Sequence, residues 1–255
     1  WLFGANSPIW YGVFAIVHGL NAWLLFRLAL RLPVHAPAGR TLFVAFTAGV
    51  LFLLSPYAAE VVVWRVCLHY LLALLFAQMA MHRTLDYLHS GKRRDWWQIQ
   101  LFFALGLFSF EWSLVVPALL LILVVTRHFS PKSDAPLMPL LGKLFAPQAG
   151  LLALYFLINK LRIGDWVGHY GAETHMNFQP QVILATMFKY VVKQFGFARH
   201  WEHADKTRLF DGLETGWPFW LGAGILITGA LAWLVFFRRA NARIQWAGAA
   251  FAWFF

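Results

Sequence analysis

Two carboxylates, Glu60 and Glu111, stand where long apolar runs end, one in Ser55-Pro56-Tyr57-Ala58-Ala59-Glu60-Val61-Val62-Val63-Trp64 and the other in Ser109-Phe110-Glu111. An ionisable group beside a membrane-length apolar segment is costly and usually has a task. A second set is cationic. Arg162, Lys189 and Lys193, with Arg65 nearer the start, could hold a phosphate, Arg162 first among them because its planar fork meets an anion with two parallel bonds. His169 and Tyr170, flanked by Gly164, Gly168 and Gly171, fit a tight, ordered turn close to Arg162 and add polar groups to the same cavity. Plainer roles compete. Each carboxylate also stands just before an apolar segment, placed to cap a helix that starts near Val61 or Trp112. Lys189 and Lys193 could simply snorkel to lipid headgroups.

Metal chemistry has a weaker claim. His169, His175, His200 and His203 share one segment, but His200-Trp201-Glu202-His203 does not have the helical H-E-x-x-H spacing that sets two ligands four apart on one face. No cofactor is expected, and a divalent metal is the lesser alternative. The single Cys67 excludes an intrachain disulfide, and its apolar setting makes it a packed thiol. His18 and Asn21, inside an apolar run, read as hydrogen-bond partners between helices.

The elements that must position these groups are helices in a membrane. With 60% hydrophobic residues, 14 Trp, 25 Phe and 13% charged residues, the composition is that of an all-α, polytopic membrane protein. Apolar segments run from about Trp10 to Leu32, Leu42 to Ala58, Val61 to Met81, Gln98 to Phe110, Trp112 to Val125, Phe145 to Leu161, Trp217 to Phe237 and from Gln245 onward. That gives about seven spans and a truncated eighth. The chain opens on Trp1 and closes on Phe255 within an apolar run, so one transmembrane domain over 1–255, truncated at both ends, is expected.

The net charge of +10 follows that topology. With the N-terminus outside, Arg27, Arg31, Arg40, Arg83, Lys92, Arg93, Arg94, Arg127, Lys132, Lys143, Arg238, Arg239 and Arg243 all fall on cytoplasmic loops, where short-loop Lys and Arg belong. The pattern holds only if Gln98 to Val125 is a hairpin broken near Glu111, not one long helix. Basic charge placed this way argues for a lipid bilayer and against nucleic acid. The one long polar interval, Lys160 to Gly216, then lies outside as a large periplasmic loop. Its aromatic content argues for order, and Val182 to Phe197 fits an amphipathic helix on the outer surface.

Four blocks of this chain, in order, resemble the bacterial relatives of the protein O-mannosyltransferases, especially the transmembrane and tetratricopeptide-repeat mannosyltransferases of the GT-C glycosyltransferase superfamily. They are Ser7-Pro8 with Val17-His18-Gly19-Leu20-Asn21-Ala22; Pro56-Tyr57-Ala58-Ala59-Glu60-Val61-Val62-Val63-Trp64 with Leu71-Leu72-Ala73-Leu74-Leu75-Phe76; Ser109-Phe110-Glu111 with Pro117-Ala118-Leu119-Leu120; and Arg162 with Gly168-His169-Tyr170-Gly171. The likeness covers roughly Ser7 to Trp217. Departures are Ser55 in place of the family's His, Leu68-His69-Tyr70 in place of Arg-Lys-Asp, and Phe110 in place of Lys.

The resemblance implies a GT-C core and transfer of a sugar from a polyprenyl-phosphate donor to a protein or glycan acceptor, on the periplasmic face of a bacterial inner membrane. It puts the catalytic acid in a loop upstream of Trp1, leaving Glu60 and Glu111 as supporting residues and Arg162, Lys189, Lys193 and Arg65 at the donor phosphate. Two rivals stand beside it. An O-antigen ligase or polymerase would also place Arg and His in a large outer loop. A transporter coupling ions through Glu60 and Glu111 would be expected to carry inverted repeats and broken midplane helices, and no repeat is visible.

Overall fold

The computed structural model describes residues 7–31, 38–55, 67–126, 136–164 and 166, with isolated positions at 182, 186, 224 and 228. The chain forms two compact units, Trp1–His169 and Tyr170–Phe255, and the helices described below belong to the first. Among the described residues the structure is all-helical, without a strand. In order come α1 (Ser7–Leu30), α2 (Ala38–Leu53), α3 (Leu68–Ser90), α4 (Arg93–Ser109), a 3-10 turn (Glu111–Val115), α5 (Val116–Thr126) and α6 (Leu137–Ile163).

Local chemistry explains the boundaries. α3 stops at Gly91, whose left-handed backbone (φ 65) returns its N–H to Tyr87 O at 2.8 Å. Ser90 Oγ then accepts from Lys92 N at 3.2 Å and donates to Asp95 Oδ2 at 2.9 Å, tying the end of α3 to the start of α4. Asp95 also lies in the first turn of α4, where a negative charge meets the positive end of the helix dipole. α6 ends in the same manner as α3, on Gly164 (φ 88).

Cross-contacts give the direction of each helix. His18 Nε2 donates to Leu53 O at 3.2 Å, and a Cβ placed on Gly49 would meet Ala22 O and Phe26 Cβ at 3.3 Å, so α1 and α2 are antiparallel. Asn21 Nδ2 donates to Leu71 O at 3.0 Å, His82 Nε2 to Leu24 O at 3.0 Å, and Arg31 pairs with Asp86 at 2.8 Å. Positions on α1 and α3 therefore advance together. Phe76 stacks with Phe102 and Tyr70 packs on Phe110, while Arg83 faces Asp95, so α4 runs against α3. Trp96 Nε1 donates to Lys143 O at 2.9 Å, and Phe108 meets Tyr155 at 5.9 Å, so α6 runs with α4.

The expected break between two short segments is present, one residue before Glu111. Phe110 is extended (φ −162, ψ 141), and the would-be Cβ of Gly106 lies 3.0 Å from Ser113 Oγ. In a continuous helix Ser113 would stand about 10 Å further along the axis, so the chain turns back here. A side chain at 106 would be tight, because its Cβ would lie 3.0 Å from Ser113 Oγ and 3.5 Å from Phe76 Cβ.

Polar groups point inward and many bulky apolar ones outward. Asn21, Thr84 and Ser113 are 0% exposed, and Gln78, Gln100 and Gln148 are buried too. Gln78 donates to Asn21 Oδ1 at 3.4 Å and Gln100 to Leu144 O at 3.2 Å, so two of these amides join neighbouring helices. His18 and Asn21 take the interhelical roles their positions predict. On α2 the small residues Ala45 and Gly49 are buried, whereas Phe43 is 69% and Leu51 67% exposed. Cys67 packs with Phe14 and Leu71, as its surroundings predict.

Two helices among the described residues, Pro8–Leu30 and Leu137–Ile163, are long and apolar enough to cross a membrane, while Ala38–Leu53 and Glu111–Val125 are apolar but shorter. The other expected boundaries shift. α3 continues past Met81 through His82, Arg83 and Asp86, and α4 begins at Arg93, not Gln98, taking in Arg94 and Asp95. An apolarity count ends a helix at its first charges, but paired charges at the bundle's end remain helical. The segments expected at Trp217 to Phe237 and from Gln245 onward lie outside the described residues.

Candidate functional site

The helix directions gather the start of α3, the reversal after α4 and the end of α6 at one end of the unit, here the Glu111 end. Three rings pack there. Tyr70 lies 4.2 Å from Phe110 and 4.3 Å from His69, and His69 lies 5.0 Å from Phe110, centroid to centroid. Tyr70 keeps 41% of its surface exposed. Glu111 follows Phe110 directly and is half-buried. Among the described residues no cation pairs with it.

The capping expectation for Glu111 needs correction. The residue before the turn is Phe110, which makes no side-chain cap bond, and Glu111 is the first residue within the turn. Phe110's extended backbone sets the entry angle, and the carboxylate lies one position too late to serve as the cap. It still benefits from the turn's positive end without being held by a backbone N–H.

Arg162 comes to the same end. α6 runs with α4 and is pinned to it where Tyr155 meets Phe108, and Arg162 lies seven residues on, about 10 Å further along the axis. Its side chain is exposed. No ion pair joins Arg162 to Glu111 among the described residues. Its neighbour Lys160 is committed locally, donating to Gly164 O and lying 5.8 Å over the Trp166 ring. The tight turn expected near Arg162 is present at Gly164. Glu60, Arg65, His169, Tyr170, Lys189 and Lys193 lie outside the described residues, as do His175, His200 and His203. Among the described residues no group of three or more His, Cys, Asp or Glu side chains gathers to hold a metal.

Sequence reasoning missed the ring cluster. His69 and Tyr70 registered only as departures from a family pattern, although two aromatic residues opening a helix opposite Phe110 were a usable signal. It also missed the opposite, Arg83 end, where Asp86 binds Arg31 through Oδ1 at 2.8 Å and Arg83 through Oδ2 at 3.1 Å, with Asp95 3.7 Å from Arg83. Only the Arg83–Asp86 spacing of three residues was visible beforehand. No protein-family model, curated protein or solved structure matches this chain.

Proposed function

We propose that this chain is the core of a membrane-embedded glycosyltransferase of the GT-C type, moving a sugar from a polyprenyl-phosphate donor to a protein or glycan acceptor at the periplasmic face of a bacterial inner membrane. One observation carries the reading: helices of alternating direction gather Glu111, the aromatic rings and Arg162 at one end and Arg83, Lys92, Arg93 and Arg94 at the other. That separation agrees with the rule that Lys and Arg of short loops remain cytoplasmic. Outward Phe43, Leu54 and Leu161 around buried amides support a lipid-facing surface, because soluble monomers rarely expose large contiguous apolar patches. The four sequence blocks support the transfer chemistry.

In this mechanism a general base takes the proton of the acceptor hydroxyl. The oxygen attacks the anomeric carbon, the bond from that carbon to the phosphate oxygen breaks, and the lipid phosphate departs with the electron pair. Arg162 stabilises the charge growing on that phosphate. Glu111 and Glu60 accept hydrogen bonds from sugar hydroxyls, and the exposed Tyr70 face offers a surface against the ring's C–H groups.

The test is transfer from a lipid-linked sugar by the full-length protein in membranes. Arg162→Ala should lower turnover about 100-fold, the weight of one preorganised charge stabiliser, while the amount of inserted protein is unchanged. Undiminished turnover would refute the donor assignment.

A further inference from the structure

At the Arg83 end a cavity of 210 Å³ opens between α1 and α3. Its polar lining is Arg27, Arg31, Arg83, His82 and Asp86, and Trp23 lines it too. Asp86 is already engaged by Arg31 and Arg83 through separate oxygens, so it offers no spare charge to Arg27. Arg27 lies 5.4 Å over the Trp23 ring, and among the described residues it has no carboxylate partner. Arg31 uses one nitrogen on His82 O and another on Asp86, which leaves guanidinium donors free for a further acceptor. The cavity therefore carries an excess of cationic donors and an aromatic wall.

The outer face of α1 says what kind of anion fits. Ile16 (65% exposed), Leu20 (43%) and Trp23 (51%) precede Arg27 at steps of four, three and four residues, which is one helical stripe. An apolar track thus leads along the helix to the Arg27 guanidinium in the cavity lining, which has no carboxylate partner among the described residues. A free phosphate would make no use of that track, whereas an acyl chain with a phosphate at its end matches both parts.

We infer that this cavity is a binding site for an anionic phospholipid, its phosphate held by Arg27 and Arg31 and its acyl chain lying along Ile16, Leu20 and Trp23. The site rests on the membrane part of the reading above and is independent of glycosyl transfer. Basic pockets between helices at a cytoplasmic surface hold anionic headgroups by this chemistry. Asp86 contributes by positioning Arg31, not by touching the lipid.

The experiment uses the full chain purified in a zwitterionic detergent, titrated with phosphatidylglycerol, phosphatidylcholine or inorganic phosphate, with retained lipid counted by native mass spectrometry. Phosphatidylglycerol should be retained in preference to phosphatidylcholine and should not be displaced by an equal concentration of inorganic phosphate. Arg27→Gln should weaken retention about fivefold, and Trp23→Leu should weaken it in the same direction. Arg40→Gln, which alters a basic residue at the same end outside the cavity, should leave it unchanged. Equal retention of the two lipids, equal loss in Arg27→Gln and Arg40→Gln, or displacement by inorganic phosphate would overturn the site. A chain that leaves cells without detergent would instead refute the membrane reading, and a chain that binds lipid without transferring sugar would refute only the enzymatic one.

Discussion

The two ends of the helical unit are held in different ways. At the Arg83 end, Asp86, Arg31, Arg83, Asp95 and Ser90 bind one another across α1, α3 and α4, while Arg27, Lys92, Arg93 and Arg94 have no carboxylate partner among the described residues. At the Glu111 end the helices meet through close packing, Gly106 against Ser113 and three rings against one another, while Glu111 and Arg162 have no opposite charge among the described residues. The difference teaches a division of labour. Charges spent on each other fix the bundle, and charges left without a partner among the described residues, Arg27 at one end and Glu111 and Arg162 at the other, remain available to a ligand.

Substitutions can break this contrast. The largest effect is expected from Gly106→Val, because its side chain would enter the space of Ser113 Oγ and Phe76 Cβ. Overpacking of this kind costs about 3 kcal/mol, read as a lowered melting temperature in detergent with loss of the chain reversal and any activity that needs it. Next, Asp86→Ala leaves Arg31 without its carboxylate and Arg83 with only Asp95, 3.7 Å away. For a pair 27–34% exposed the loss should be about 2 kcal/mol, between exposed and buried pairs, while turnover per folded molecule is unchanged. If Asp86→Ala abolished turnover at full stability, the division of labour would be wrong.

Smaller effects sharpen the picture. Asn21→Ala removes a donor to Leu71 O and an acceptor for Gln78. Thermal unfolding should show a loss of about 1 kcal/mol, the usual scale of an interhelical bond in a membrane protein. Glu111→Gln keeps the shape and removes the charge. Since no cation holds Glu111 among the described residues, the melting temperature should not move, whereas KM for the proposed lipid-linked sugar should rise a few-fold; a fall in stability would make Glu111 a structural residue.

Much of the architecture was legible because its cause is local. The turn at Gly164 ends a helix and His18 and Asn21 bond across helices, as their types and positions predict, whereas the stop at Gly91 and the close approach of α1 and α2 at Ala45 and Gly49 show only in the structure. Helix ends were less legible, since the sequence shows charge at Arg83, Asp86 and Arg94 but not that much of it is paired. The candidate site was least legible. Glu111 and Arg162 were found from type and position, yet their shared end depends on α4 and α6 being parallel, which a non-local contact between Phe108 and Tyr155 determines. The ring cluster likewise needs residues some forty apart.

The central claim is that these two ends face opposite sides of a membrane, and accessibility of single cysteines tests it most directly. With the buried Cys67 replaced by Ala, Glu111→Cys and Lys92→Cys are each exposed in intact cells to a maleimide that cannot cross membranes. The account predicts labelling of the first from outside, and of the second only after permeabilisation. Labelling of both from the same side would contradict it.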